Sequence, residues 1–110
     1  MLVSVIMPVF NSIQFLHESI QSILNQSYPY LEFIILDDCS EEPVFDLIKS
    51  YKDTRIVALR NSKNLGLTKS LNICLDKVRG DFVVRHDSDD ISLPNRIEEQ
   101  SSRIINSKYG

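Results

Sequence analysis

Long apolar runs are missing from this 110-residue chain. A bilayer-crossing helix needs about 20 mostly apolar residues, and the apolar opening from Leu2 to Val9 stops well short of that. It carries no basic leader and runs into Pro8 instead of a small-residue cleavage site, so it does not read as a signal peptide. Cysteine is nearly absent too: Cys39 and Cys74 are far apart, without CxxC spacing. No disulfide framework is possible, and two core or loop thiols in a reduced, cytoplasmic protein are expected. Basic residues are not concentrated anywhere, since 12 Lys and Arg are scattered against 15 Asp and Glu for a net charge of -3. That leaves no positive field for a nucleic-acid backbone. With three glycines in all, the chain has neither a GxGxxG turn nor a Walker loop. Ser-His-Asp and Cys-His orders, internal repeats and low-complexity tracts are also lacking.

What remains is 43% apolar content, enough for one compact domain with its own core over residues 1–110. Val3 to Met7 is short, β-rich and closed by Pro8, as a strand buried on both faces would be. Ile13, Leu16, Ile20, Ile23 and Leu24 then recur at three- and four-residue steps, the stripe of an amphipathic helix. Leu31 to Leu36 reads as a second strand, with Asp37 and Asp38 just beyond the sheet. Glu42 and Pro43 suit a helix start with Leu47, Ile48 and Tyr51 on its inner face. Arg55 to Leu59 gives a third strand. Gly66 precedes a helix with Leu67, Leu71, Cys74, Leu75 and Val78 on one side, closed by Gly80 as a left-handed cap. Phe82 to Val84 is a fourth strand, and a last helix from Pro94 carries Ile97, Ile104 and Ile105. Four strand–helix repeats predict an open, mostly parallel α/β sheet in three α/β/α layers, Rossmann-like. Ligands of such sheets bind beyond the carboxyl ends of the strands, so Pro8 to Asn11, Asp37 to Ser40 and Asp87 to Asp90 should converge.

The densest chemistry is Asp87-Ser88-Asp89-Asp90. Three carboxylates in four residues repel one another unless a cation sits among them, and Mg²⁺ or Mn²⁺ is met by one or two such oxygens plus waters and phosphate. The alternative is a solvated acidic turn near the start of the helix at Pro94. Asp37 and Asp38 stand where a carboxylate can meet a base or ribose, or where Asp37 caps its own turn while Asp38 or Ser40 starts the next segment. Pro8-Val9-Phe10-Asn11 offers a ring and backbone groups to a nucleobase, although Phe10 also suits a plain core or rim position. Asn64-Leu65-Gly66 can bring backbone close to a phosphate, or Gly66 can simply supply a positive φ. Lys69 and Arg85 could neutralise phosphate; the simpler reading is an exposed lysine and an arginine paired to an aspartate. His17 reads as solvent-facing or as a satisfied histidine. His86 beside the acidic cluster could ligate a transition metal, but a satisfied structural histidine is the favoured reading.

In order and spacing, these segments resemble the inverting family 2 glycosyltransferases of the GT-A fold. The likeness runs from Val3-Ser4-Val5-Ile6-Met7-Pro8-Val9-Phe10-Asn11 through Gln21 to Tyr28 and Ile34-Ile35-Leu36-Asp37-Asp38-Cys39-Ser40. It continues in Asn64 to Asn72 and ends at Asp87-Ser88-Asp89-Asp90, similar to the family's DxD metal motif. The resemblance implies that Asp38 contacts uracil or an equivalent base, that Pro8, Val9, Phe10 and Asn11 form the nucleotide loop, and that Asn64, Gly66 and Ser88 adjoin the donor. It gives Asp87 and Asp89 to ribose and metal, with Asp89 the first choice as ligand of Mn²⁺ or Mg²⁺. A phosphate-contacting arginine cannot be carried over, because Leu71 occupies its place.

The implied function is sugar transfer from a nucleotide-sugar, a UDP-sugar by preference, to a glycan or lipid-linked acceptor. The general base and acceptor site would lie beyond residue 110, so residues 1–110 would be the donor-binding part and transfer little sugar alone. The expected setting is cytoplasmic, peripheral at the inner membrane face in a longer protein and engaged in cell-envelope polysaccharide synthesis. A receiver-type signalling domain is the rival in another class, but it needs carboxylates after the first strand, where Pro8 to Asn11 stand. A non-catalytic nucleotide-binding module is the third reading.

Overall fold

The computed structural model describes residues 1–109, with side chains as far as Arg103. Strands and helices alternate through it: β1 (Val3–Val9), α1 (Ile13–Leu24), β2 (Leu31–Asp37), α2 (Val44–Ser50), β3 (Ile56–Arg60), α3 (Leu67–Leu75), β4 (Phe82–Arg85) and α4 (Arg96–Tyr109). Both faces of β1 and β2 are covered, which is why their sequences are almost continuously apolar. The sheet order is β3-β2-β1-β4, and every pairing is parallel. The chain thus steps outward from β1 to β3 and returns on the other side of β1. The strand order reverses there, the kind of position at which open α/β sheets place their ligands.

Three layers follow from how the strand residues alternate. Val3, Val5, Met7 and Val9 point to one side with Phe33 and Ile35, against Leu16, Ile20 and Ile23 of α1, Val44 and Ile48 of α2, and Ile97 of α4. Ile6, Ile34 and Leu36 point to the other side, where α3 covers them with Cys74 and Leu71. Each large aliphatic side chain buried in this way contributes about 1.5–3 kcal/mol. No helix among the described residues is long and apolar enough to cross a membrane.

The expected architecture is therefore present, with corrections in detail. Asp37 is the last residue of β2, 1% exposed and in register with Val9 and Arg60, not a loop residue beyond the sheet. α3 ends at Leu75, and its buried residues are Ser70 and Cys74, while Leu67 and Leu75 are 53% and 45% exposed. Gly80 is no left-handed cap, since Gly66 is the glycine with positive φ. Its N–H donates to Ser4 Oγ at 2.8 Å, and a Cβ there would lie 2.8 Å from the Leu2 carbonyl oxygen. Gly80 is needed for close approach to β1. The last helix begins at Arg96 after a turn at Pro94; Ile104 and Ile105 lie outside the described side chains.

Candidate functional site

The loops leaving β1 and β2 are tied together before either reaches a helix. The Asp38 N–H donates to the Val9 carbonyl at 2.8 Å, extending the sheet by one bond. Asn11 and Ser12 then turn sharply in left-handed geometry, φ 57° and 63°, and Cys39 does so at φ 59°. Such backbone costs on the order of 1–3 kcal/mol per residue unless its surroundings hold it. Here the Asn11 N–H donates to Ser40 Oγ at 2.7 Å, and Asn11 Oδ1 accepts the Glu41 N–H at 3.0 Å. Asp37 accepts the Ser40 N–H at 2.9 Å and lies 3.6 Å from Arg60.

Asp38 reaches across to the start of α3. Oδ1 accepts the Asn61 amide at 2.9 Å and the Leu65 N–H at 2.8 Å, and Oδ2 accepts the Gly66 N–H at 2.9 Å. Burial pushes this carboxyl up, but the Leu65 N–H, the Asn61 amide, the Gly66 N–H and the Ser70 hydroxyl outweigh it and hold the pKa below the ordinary value. A carboxylate has about four lone-pair directions. Oδ1 is filled, and one direction on Oδ2 is free of a backbone or amide donor. Gly66 sits at φ 90° and ψ 169°, a region essentially closed to other residues. Pro8, Val9, Phe10, Asp38, Asn64, Gly66, Leu67 and Ser70 line a cleft of about 340 Å³, with Phe10 half-exposed at its lip.

On the other side of β1, β4 gives way to a turn closed by the Asp90 N–H on the Asp87 carbonyl at 3.0 Å. Arg85 Nε lies 3.1 Å from Asp87 Oδ1, both side chains about half-exposed. The Asp89 and Asp90 carboxylates are exposed and accept no hydrogen bond from the described residues. His86, 1% exposed, is held by Ser19 at 2.8 Å and Ser92 at 3.0 Å. Burial pushes its pKa down, and the Arg96 charge adds to this against Asp90 and Asp87. It is the satisfied histidine of the favoured reading. His17 pairs with the Tyr51 hydroxyl at 2.6 Å.

The sequence profile described as Glycosyl transferase family 2 matches residues 4–110. The chain belongs to that family. Among relatives, it is 44% identical over 101 residues to EpsE of Bacillus subtilis, named as a glycosyltransferase, covering 89% of this chain and 36% of EpsE. It is 32% identical over 99 residues to the Escherichia coli glucosyltransferase WfaP, named for transfer from UDP-Glc to alpha-D-GlcNAc-diphosphoundecaprenol, covering 90% of this chain and 39% of WfaP. The chain thus spans well under half the length of these curated relatives. The solved structure of S. aureus TarS 1-349 in complex with UDP superimposes with a TM-score of 0.89 at 27% identity, covering 96% of this chain and 32% of TarS.

Within this family 2 chain, Pro8, Val9, Phe10, Asp38, Asn64 and Gly66 share the cleft, as the sequence suggested. Asn11 does not line it; its side chain braces the neighbouring loop. Asp87, Ser88 and Asp89 do not line it either and stand one strand away, beyond β1. No group of three or more His, Cys, Asp or Glu side chains among the described residues is gathered closely enough to enclose a metal ion. Two residues that brace Asp38 escaped the sequence reading. Asn61 and Ser70 hold Asp38 and each other, with the Asn61 amide 3.2 Å from Ser70 Oγ. A buried polar position in a helical apolar pattern was the available signal for Ser70; Asn61 gave none.

Proposed function

We propose that the protein is an inverting, metal-dependent glycosyltransferase that takes a UDP-sugar, and that residues 1–110 form its donor-binding part. The observation that carries the proposal is Asp38 in a cleft with Phe10 at its lip: Oδ1 is filled by the Asn61 amide and the Leu65 N–H, while the Gly66 N–H is the one backbone or amide donor on Oδ2 among the described residues. Uracil presents one imide N–H, which one lone pair of Oδ2 can take. Guanine presents a pair of N–H donors that would claim both carboxylate oxygens, and Oδ1 is already filled. Phe10 and Leu67, both about half-exposed, supply apolar surface against the base. The UDP named with TarS and the UDP-Glc named with WfaP agree with this choice.

The acidic turn fits a Mn²⁺ or Mg²⁺ ion on its donor set. Asp87, Asp89 and Asp90 offer hard oxygens, and the latter two are unpaired among the described residues; the Arg85 pair on Asp87 is exposed and weak. Too few protein ligands for a closed cage is the pattern in which water and diphosphate oxygens complete the shell. When bound, the ion would stabilise charge developing on the departing diphosphate. Asp89 is the proposed principal ligand, with Asp87 shared between ion and ribose and Ser88 beside them. Asn64 and Gly66 would meet the nucleotide from the α3 side. The Mn²⁺ and GDP-Man named with the mannosyltransferase PcManGT, 26% identical with a TM-score of 0.73 over 81% of this chain, support a metal in this fold. A glycan or lipid-linked acceptor, as WfaP's name gives for that enzyme, would bind through residues beyond 110, as would the general base. The role we assign is in cell-envelope polysaccharide synthesis, supported by the lipid-linked acceptor named with WfaP, with the cytoplasmic membrane face as the proposed setting.

Calorimetric titration of UDP, with GDP as comparison, in the presence and absence of Mn²⁺ tests this. UDP should bind more tightly than GDP, and Asp89→Ala should remove most of the Mn²⁺-dependent affinity. Equal binding of the two nucleotides, or an unchanged Asp89→Ala, would sink the proposal.

A further inference from the structure

Beside its apolar stripe, α1 carries a polar one. Ser19 and Ser22 lie three residues apart on one flank, Gln26 just past the helix end follows four residues on, and all three bond to the segment after β4. Ser19 Oγ lies 2.8 Å from His86 Nε2 and 3.3 Å from the Asp87 carbonyl oxygen. Ser22 Oγ accepts the Ser92 N–H at 3.0 Å. Gln26 donates to the Leu93 carbonyl at 2.7 Å and accepts the Ile97 N–H at 3.0 Å.

Arg96 fixes the direction of the innermost bonds. A guanidinium only donates, so His86 Nδ1, 3.1 Å from Arg96 Nη1, is the unprotonated nitrogen. Ser92 Oγ accepts from Arg96 at 2.8 Å and donates to the same nitrogen. The neutral ring therefore carries its proton on Nε2 and donates to Ser19, whose own hydrogen is left for the Asp87 carbonyl. The relay runs one way: Arg96, Ser92, His86, Ser19, Asp87 oxygen. That oxygen also receives the Asp90 N–H that closes the acidic turn.

A metal-binding carboxylate must be held within about 0.5 Å and 10–20° of its working position. The exposed Asp89 and Asp90 carboxylates have no side-chain partners among the described residues, so their orientation has to come from the backbone beneath. Resting on the proposed reading of this turn as the donor's metal seat, we infer that Ser19 and His86 are positioning residues for it. They touch neither nucleotide nor ion. They fix the Asp87 carbonyl, and through the turn they aim the carboxylates.

The test separates base binding from metal binding. Uridine alone, and UDP with and without Mn²⁺, are titrated into wild type, Ser19→Ala, His86→Leu and His86→Gln, with a thermal melt of each. In Ser19→Ala and His86→Leu the gain in UDP affinity on adding Mn²⁺ should shrink about three- to tenfold, the worth of one hydrogen bond. Uridine affinity should not change, and His86→Gln, which keeps a donor and an acceptor, should restore part of the loss. If His86→Leu does not fold, Ser22→Ala carries the test through Ser92, with about a two- to threefold loss in the same step. An undiminished Mn²⁺ gain in the folded variants overturns the inference while leaving the donor reading intact, as do uridine and UDP affinities that fall together with melting temperature. A wild type that binds UDP no better with Mn²⁺ removes the donor reading and this inference with it.

Discussion

Exchanging the Asp38 carboxylate for an amide turns one acceptor oxygen into a donor. Three N–H groups already converge on the side chain, so an NH2 would face at least one of them, and the residue is 4% exposed. Asp38→Asn should cost about 1–3 kcal/mol of stability, visible in the denaturant midpoint. The same contacts give a pH dependence. The folded pKa lies below the unfolded value of 3.8, so the stabilisation is complete above that value and is lost as pH falls through the folded pKa. Acid titration of the unfolding midpoint should therefore show a larger loss below about pH 4 in wild type than in Asp38→Asn. The place of Asp38 at a strand tip was legible in the sequence. Its partner Asn61 was not, because nothing local marks a side chain whose purpose is a contact 23 residues away.

Elements were easier to read than the faces they bury. α1 follows its apolar spacing closely, since Leu16, Ile20 and Ile23 all reach the core. In α3 two of the leucines misled: Leu67 and Leu75 are about half-exposed, and the helix packs through Ser70, Leu71 and Cys74, where an apolar template cannot score the serine. The two glycines flanking this stretch resist substitution for different reasons. Gly66→Ala meets no atom within 4 Å but is forced into φ 90°, at a cost on the order of 1–3 kcal/mol. It should also weaken uridine binding, because its N–H holds Asp38. Gly80→Ala has to push β1 backbone aside, at about 1–3 kcal/mol, and should leave uridine affinity unchanged. Denaturant melts beside uridine titrations distinguish the two; a Gly80→Ala that loses uridine binding as strongly as Gly66→Ala would contradict this assignment.

At the scale of the whole molecule, alternation of strand and helix gave the layer architecture, and the parallel order β3-β2-β1-β4 matches it. The sequence could not say which carboxylates share a cleft, because that depends on which side of β1 each loop emerges. Asp38 leaves beside β2 and Asp87 beside β4, so one serves the cleft and the other a separate turn. That arrangement has a consequence in time. β1 is made first yet lies inside the sheet, and its bonds to β2 span far less chain than its bonds to β4, where Val3 meets Phe82. Contacts that close shorter loops form sooner. Pulse-labelled hydrogen exchange during refolding should protect the amides of β1 and β2 before those of His86 and Asp90. On the ribosome the same order is enforced by synthesis, so a nascent chain would have its Asp38 cleft before its acidic turn exists.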